Sequence, residues 1–217
     1  MRGWEWLFPV KCIGCNKEGV ELCDKCKLRL VRARQVCVEC RKGSIGGRTH
    51  KRCCKELGLN AVFRVYRYEG LMQRIIKAVK YRFRYQLLRE CVGEYGRRQV
   101  FMRVDGVVPV PLHRVRENWR GFNQAMMLAE ILAESWGVKV LEVVKRKKAT
   151  RPVAEMGKNE REREILGAFE LVNMELIKGK RLVVVDDVVT TGGTMKEVAK
   201  VLKKGGARWV GGWALAG

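Results

Sequence analysis

The chain lacks any apolar run long enough to cross a membrane and has no low-complexity stretch. Its opening segment, Met1–Val10, holds Trp4, Trp6, Leu7 and Phe8 but is too short for a signal peptide or a span. A cytoplasmic protein without a transmembrane segment is therefore expected, with cysteines reduced or metal-bound rather than disulfide-paired. Two nucleotide-binding signatures are also missing: no G-x-x-x-x-G-K-[ST] and no strand-linked G-x-G-x-x-G occurs, which excludes the usual P-loop and dinucleotide folds. Acids are scarce. The 23 Asp and Glu stand against 45 Lys and Arg, a formal charge of +22, and the cations are spread throughout, so no single tail accounts for them. Such an excess points to a polyanion, nucleic acid before others. The competing reading is a solvated basic surface.

What is present is concentrated. Eight of the nine cysteines fall within the first 54 residues, as Cys12-x2-Cys15, Cys23-x2-Cys26, Cys37-x2-Cys40 and the doublet Cys53-Cys54. A C-x-x-C pair puts two thiolates on one tight knuckle, and two knuckles complete a tetrahedral zinc site. Eight thiols suffice for two structural Zn2+ ions. His50-x2-Cys53 has the same spacing, so one site has an alternative set of three cysteines and a histidine that leaves Cys54 outside. Spacing alone does not say which knuckles pair. So short a segment buries little apolar surface, and metal binding would supply its folding energy. The boundaries that follow are 1–58 for the module and 59–217 for the remainder, with lone Cys91 read as a small core residue.

The most specific run is Leu182–Thr194, LVVVDDVVTTGGT. Four apolar residues make a buried strand, two acids follow, and a Thr/Gly turn leads into a helix. Thr194-Met195-Lys196-Glu197 has the capping-box pattern, and Gly205-Gly206 ends the helical spacing of Val198, Val201 and Leu202. Small residues and hydroxyls at a helix start offer N–H groups to a phosphate, and the acids can accept from sugar hydroxyls. A phosphorylated ribose suits both. The other reading is a strand–turn–helix whose acids merely cap the helix.

Between module and motif, Ala61–Tyr68 alternates as a strand, and Leu71, Met72, Ile75, Ile76 and Val79 mark one helix face. Lys80–Tyr85 alternates cations with aromatics, a pattern that suits either stacking of single-stranded bases or packing at a domain edge. Val104–Val110 reads as a strand running into Pro111, Leu112, His113 and Arg114, and Arg120–Ala125 then enters a helix with Leu128, Ala129, Ile131 and Leu132 on its inner side. That loop suits pyrophosphate, with Arg114 or Arg116 opposing its charge. Another strand is expected over Val138–Lys145. The basic span Arg146–Arg163 after it is expected to be a mobile loop able to close over a polyphosphate. The alternation of strands and helices over residues 100–217 indicates an α/β parallel sheet with its site at the strand carboxyl ends.

Leu182–Thr194 resembles, at all thirteen positions, the 5-phosphoribosyl-1-pyrophosphate (PRPP) motif of type I phosphoribosyltransferases. That resemblance implies that Asp186 and Asp187 hold the ribose 2′- and 3′-hydroxyls, and that Thr190, Thr191, Gly192, Gly193 and Thr194 wrap the 5′-phosphate. With LFPVKCIGC, the knuckles, Lys80-Tyr81, VPVPL, RGFNQA and GAF, the whole chain resembles the ComF family. The fold implied is a type I phosphoribosyltransferase-like parallel sheet with an amino-terminal zinc module. The implied ligands are PRPP and Mg2+. The implied role is natural transformation, through single-stranded DNA and the DNA-uptake machinery at the inner membrane. Val153 and Glu164 depart from the glutamine and asparagine the family usually has there. A working transferase, joining ribose phosphate to a nitrogenous base and releasing pyrophosphate, is the alternative, and the sequence leaves activity and acceptor open.

Overall fold

A computed structural model describes residues 9–98, 103–113, 121–147 and 165–217. Its centre is a five-stranded sheet, β1 (Ala61–Tyr66), β2 (Gly106–Pro109), β3 (Lys139–Val140), β6 (Arg181–Val188) and β7 (Trp209–Ala216), in the order β1-β7-β6-β2-β3. Every pairing in it is parallel. Leu182–Val185 is buried on both sides, as expected of a central strand with helices on both faces. One face carries α2 (Gly70–Arg82), α3 (Gln86–Arg97) and α4 (Gln124–Trp136), packed on Val183, Val185, Trp213 and Leu215. The other carries α5 (Gly193–Lys204), whose Met195, Val198 and Leu202 pack on Leu182, Val184 and Ala214. Strand alternation therefore sends Asp186 and Asp187 toward opposite faces of the same rim.

The expected strand over Val138–Lys145 is two strands in two sheets. The chain leaves the main sheet after β3, with Leu141 N–H still donating to Val107 O. β4 (Val144–Arg146) then pairs antiparallel with β5 (Phe169–Leu171). The basic span thus joins two strands of a hairpin rather than two parallel strands of the main sheet, and most of it, 148–163, lies outside the described residues.

The cysteine-rich segment, with the one-turn helix α1 (Asp24–Lys27), straddles the β1 edge of the sheet. Cys12, Leu22, Cys26 and Leu30 join the core beneath α2 and α3, while Val38 joins the core on the α5 side. Between them the chain runs beside β1: Ala33 N–H donates to Val65 O, and Arg67 N–H to Val31 O. The Gln35 amide continues the ladder by accepting from Arg64 N–H (3.1 Å) and donating to Arg64 O (2.7 Å). A sheet edge that would otherwise present bare peptide groups is covered. Cys91 is buried in α3, as expected, and burial raises its thiol pKa to about 12.

Candidate functional site

At the carboxyl rim, β6 delivers the acid pair and its turn. Asp187 is 7% exposed, and its Oδ2 lies 2.7 Å from Lys80 Nζ on α2. Asp186 Oδ1 accepts from Asp187 N–H at 2.8 Å. Burial first, and Asp187 second, push the Asp186 carboxyl up to about 7, with Lys80 pulling the other way. One carboxylate is thus neutralised by a lysine and the other shares its field with a like charge. A carboxylate so placed fits hydroxyl donors, or the divalent cation that a polyphosphate carries. Lys80 is a site residue that the sequence placed in a cation–aromatic run. Its spacing on α2, one turn past Ile76 on the sheet-facing side, was the available signal.

The turn Thr190–Gly192 follows. Gly192 sits at φ +78°, and any Cβ there would lie 2.8 Å from Val38 Cγ2, so a side chain is excluded by both conformation and space. Gly192 is itself the N-cap. α5 begins at Gly193, and the expected capping box is not formed. Glu197 instead accepts from Gly167 N–H at 3.2 Å and pairs with Lys200 at 3.7 Å. Thr194 is the second helical residue. Gly192 offers no side chain as a cap, and Thr191 Oγ1 accepts only from Gly193 N–H, at 3.4 Å, so the following N–H groups of the first turn of this twelve-residue helix are left for a ligand or water.

The neighbouring loop after β2 brings Pro111, Leu112 and His113, all half-buried, to the same rim. Val110 N–H donates to Val185 O at 2.9 Å, and Asn123 Nδ2 to Val110 O at 3.2 Å. Asn123 Oδ1 also caps α4 through Ala125 N–H, so one buried side chain ties the loop to the helix. Arg114 and Arg116 lie outside the described residues.

The cysteines form two sets. Cys12, Cys15, Cys23 and Cys26 gather in one, and Cys37, Cys40, His50 and Cys53 in the other, with ligand atoms within 4.8 Å of one another. The Cys12–Cys23 and Cys15–Cys23 sulfur separations are 3.7 Å. A tetrahedron with zinc–sulfur bonds of about 2.3 Å has edges of about 3.8 Å, so the first set fits zinc without rearrangement. In the second, Cys40 Sγ lies 3.2 Å from His50 Nδ1, while Nε2 lies 3.2 Å from Gly43 O. A proton on Nε2 directed at that carbonyl leaves Nδ1 to a metal. Burial opposes the Cys12 thiolate, but the N–H groups of Cys23, Gly14 and Cys15 outweigh it and hold the thiol at about 6. Cys37 is held at about 7 in the same way by Cys40, His50 and Glu39. Neighbouring knuckles pair, and each set joins a tight hairpin to a helical turn. Cys12 N–H donates to Lys17 O and Cys37 N–H to Lys42 O, whereas Cys26 N–H donates to Cys23 O and Cys53 N–H to His50 O. The assignment of Cys54 as a ligand is corrected: it follows the 3-10 turn in extended conformation, is exposed, and stands outside the second set. Purified Cys54→Ser protein is expected to keep the zinc content of the parent, close to two ions per chain, by elemental analysis. Loss of one ion in that variant would restore Cys54 as a ligand.

The knuckle of the second set touches the Thr190–Gly192 turn directly. Arg41 Nη2 donates to Thr190 O at 3.2 Å, Lys196 Nζ pairs with Glu39 Oε1 at 3.1 Å, and Val38 packs on Gly192. Of the Lys80–Tyr85 run, the aromatics are exposed: Tyr81 56%, Phe83 59% and Tyr85 45%. Phe83 and Tyr85 lie 6.1 and 5.8 Å from Phe122, ring centre to ring centre. Arg84 is committed to structure, bonding Lys11 O at 2.8 Å and Glu21 Oε1 at 3.6 Å.

A parallel sheet whose central strand ends in paired acids and runs through a glycine turn into a helix is a phosphoribosyltransferase-type fold. Residues 122–216 match the phosphoribosyl transferase domain family. The chain is 27% identical to Competence protein F of Haemophilus influenzae over 216 residues, 94% of this chain and 89% of that one. Competence protein ComFC of Bacillus subtilis is 28% identical over 70% of this chain and 62% of its own length. DNA utilization protein YhgH of Escherichia coli K12 is 39% identical over 116 residues, about half of each chain (51% and 48%). These matches bear out the ComF-family resemblance read from the motifs.

Proposed function

We propose that the protein binds PRPP with Mg2+ at Asp186, Asp187 and Thr190–Thr194, and acts in DNA uptake by binding single-stranded DNA in the cytoplasm. The observation that carries the reading is the acid pair beside a helix start whose N-cap is a glycine, on one strand rim, an arrangement suited to a ribose on one side and a phosphate on the other. Support for the DNA role comes from relatives called competence and DNA utilization proteins, and from the +22 charge. The Mg2+ would be carried by the pyrophosphate and met by the Asp186 carboxylate. Zinc at the two sets would be structural, with 1–58 as the zinc module and 59–217 as the phosphoribosyltransferase-like domain. No helix among the described residues is long and apolar enough to cross a membrane. A transferase needs a hood that recognises a base. The second knuckle, with Val38, Glu39 and Arg41, stands against the phosphate turn instead, which favours a binding role.

The exposed aromatics supply the test. Fluorescence anisotropy on an unstructured oligonucleotide is expected to give binding that weakens steeply with salt, by about 0.7 log unit per log unit of salt for each phosphate contacted. Exchanging Phe83 and Tyr85 for alanine is expected to lower affinity by roughly 1–3 kcal/mol per stacked base while leaving the slope in place. Exchanging Arg84 is expected to cost stability before affinity, because its partners are Glu21 and Lys11 O. No binding near physiological salt would sink the DNA role and bring the transferase reading forward.

A further inference from the structure

Between the second knuckle and the strand rim lies a cleft of about 550 Å³, walled by Arg34, Arg41 and Arg64 on one side and Thr190 and Thr191 on the other. Among the described residues no acidic side chain lines it, and Gly217 stands at its wall beside Arg64. Arg64 is unusual for a cation on a β-strand. It is 6% exposed, and its Nη1 donates to Val36 O (3.2 Å) and Val62 O (3.3 Å). Among the described residues no carboxylate lies within 4.0 Å of it. Burial lowers its pKa and the nearby Arg41 lowers it further, while the Cys37 thiolate pulls the other way. Two carbonyls satisfy part of the fork and the Cys37 thiolate offsets part of the charge, yet no group meets the guanidinium as an ion pair, and a buried cation so placed favours an anion that completes it. Arg41 is partly engaged by Thr190 O, and Arg34 lies exposed at the mouth, over Gly43. Planar guanidinium forks converging on one opening match the oxygens of a phosphate group.

We propose that this cleft is a phosphate site for the backbone of a single strand, lying across the Thr190–Thr191 turn from the helix start that receives the PRPP phosphate. It rests on the single-strand reading above and gives that reading a place: one phosphodiester in the cleft, gripped by Arg64 within and Arg34 at the mouth. A mononucleotide phosphate or PRPP itself offers the same chemistry, so the test must separate these sources.

The test compares the parent protein with Arg34→Gln and Arg64→Gln. Strand binding is followed by anisotropy on an oligothymidine across a salt series, and PRPP–Mg2+ binding by calorimetry. Loss of one phosphate contact is expected to reduce the salt slope by about 0.7 in Arg34→Gln, with several-fold weaker strand binding at low salt. PRPP affinity is expected to stay within twofold. Arg34 is exposed, so this variant remains informative if Arg64→Gln destabilises the fold. An unchanged slope in folded Arg34→Gln, in a parent that binds the strand, overturns the cleft alone. A parent that does not bind overturns the single-strand reading and the cleft with it. Weakened PRPP binding in Arg34→Gln with strand binding intact assigns the cleft to the ribose phosphate and overturns the proposal.

Discussion

Asparagine at both Asp186 and Asp187 is expected to weaken PRPP binding at least about 100-fold while the fold survives. Each lost hydrogen bond from a hydroxyl to a charged acceptor costs roughly 1.5–3 kcal/mol, and about 1.4 kcal/mol is a factor of ten. Asp186→Asn alone gives the cleaner readout, because Asp187 also answers Lys80 at 2.7 Å. The pH dependence adds a second signature. With its carboxyl pushed up to about 7 by burial and by Asp187, Asp186 is protonated below that pH and must lose the proton before it can accept from the ribose. PRPP affinity is expected to rise with pH through about 7 in the parent and to lose that component in Asp186→Asn. The effect on folding has the opposite sense. Between the ordinary value of 3.8 and about 7 the folded state holds more protons than the unfolded one, so this residue's contribution to stability falls as pH rises. Calorimetric titrations across pH check the first expectation and thermal melts the second. Undiminished affinity in the double variant would remove the acid pair from the site.

Stripping the metals is expected to be the most damaging single treatment of this protein. The first set contributes Cys12 and Cys26 to the same core as Ile75, Leu87 and Trp213, so it cannot melt as a separate unit. Structural zinc in small modules supplies about 10–16 kcal/mol of apparent folding free energy, as large as the net stability of a whole domain. Even about 5 kcal/mol of uncompensated loss lowers the midpoint by roughly 10–20 °C in a chain of this size. Chelation, or Cys12→Ser, is therefore expected to give one early cooperative transition rather than an early small one and an unchanged late one. The check is calorimetry with and without chelator. A chelated protein melting within a few degrees of the parent would mean that the thiols are ordinary core residues.

The parts of the fold readable in the sequence are those whose signal is local. Leu182–Val185 reads as a buried strand because an unbroken apolar run suits both faces of a central parallel sheet, and α2 reads from a period that puts Leu71, Ile75 and Val79 on one side. The capping box failed for an equally physical reason. Gly192 takes a left-handed conformation that starts the helix early, leaving Glu197 free to serve Gly167. Knuckle pairing was closed to sequence reading because all four knuckles have the same spacing, and only the path of the chain makes neighbours meet. The Lys80–Asp187 pair spans more than a hundred residues, and the Arg34–Arg41–Arg64 cleft joins three separate segments. Such juxtapositions are made by topology.

The order β1-β7-β6 has a consequence for synthesis on the ribosome. β1 finds its partner strand in the sheet in β7, with Ala61 opposite Gly211, and the Asn60 side chain waits for Val210 N–H, 150 positions later. Both cysteine sets are complete by Cys53. Metal can therefore load while the strands that will flank the module are still unmade, leaving Leu22, Leu30 and Val38 facing water in the meantime. Translation at about 5–20 residues per second stretches that wait to roughly ten seconds or more. The nascent chain would pass it as a metal-knotted head with bare apolar surfaces, a natural client for a holdase.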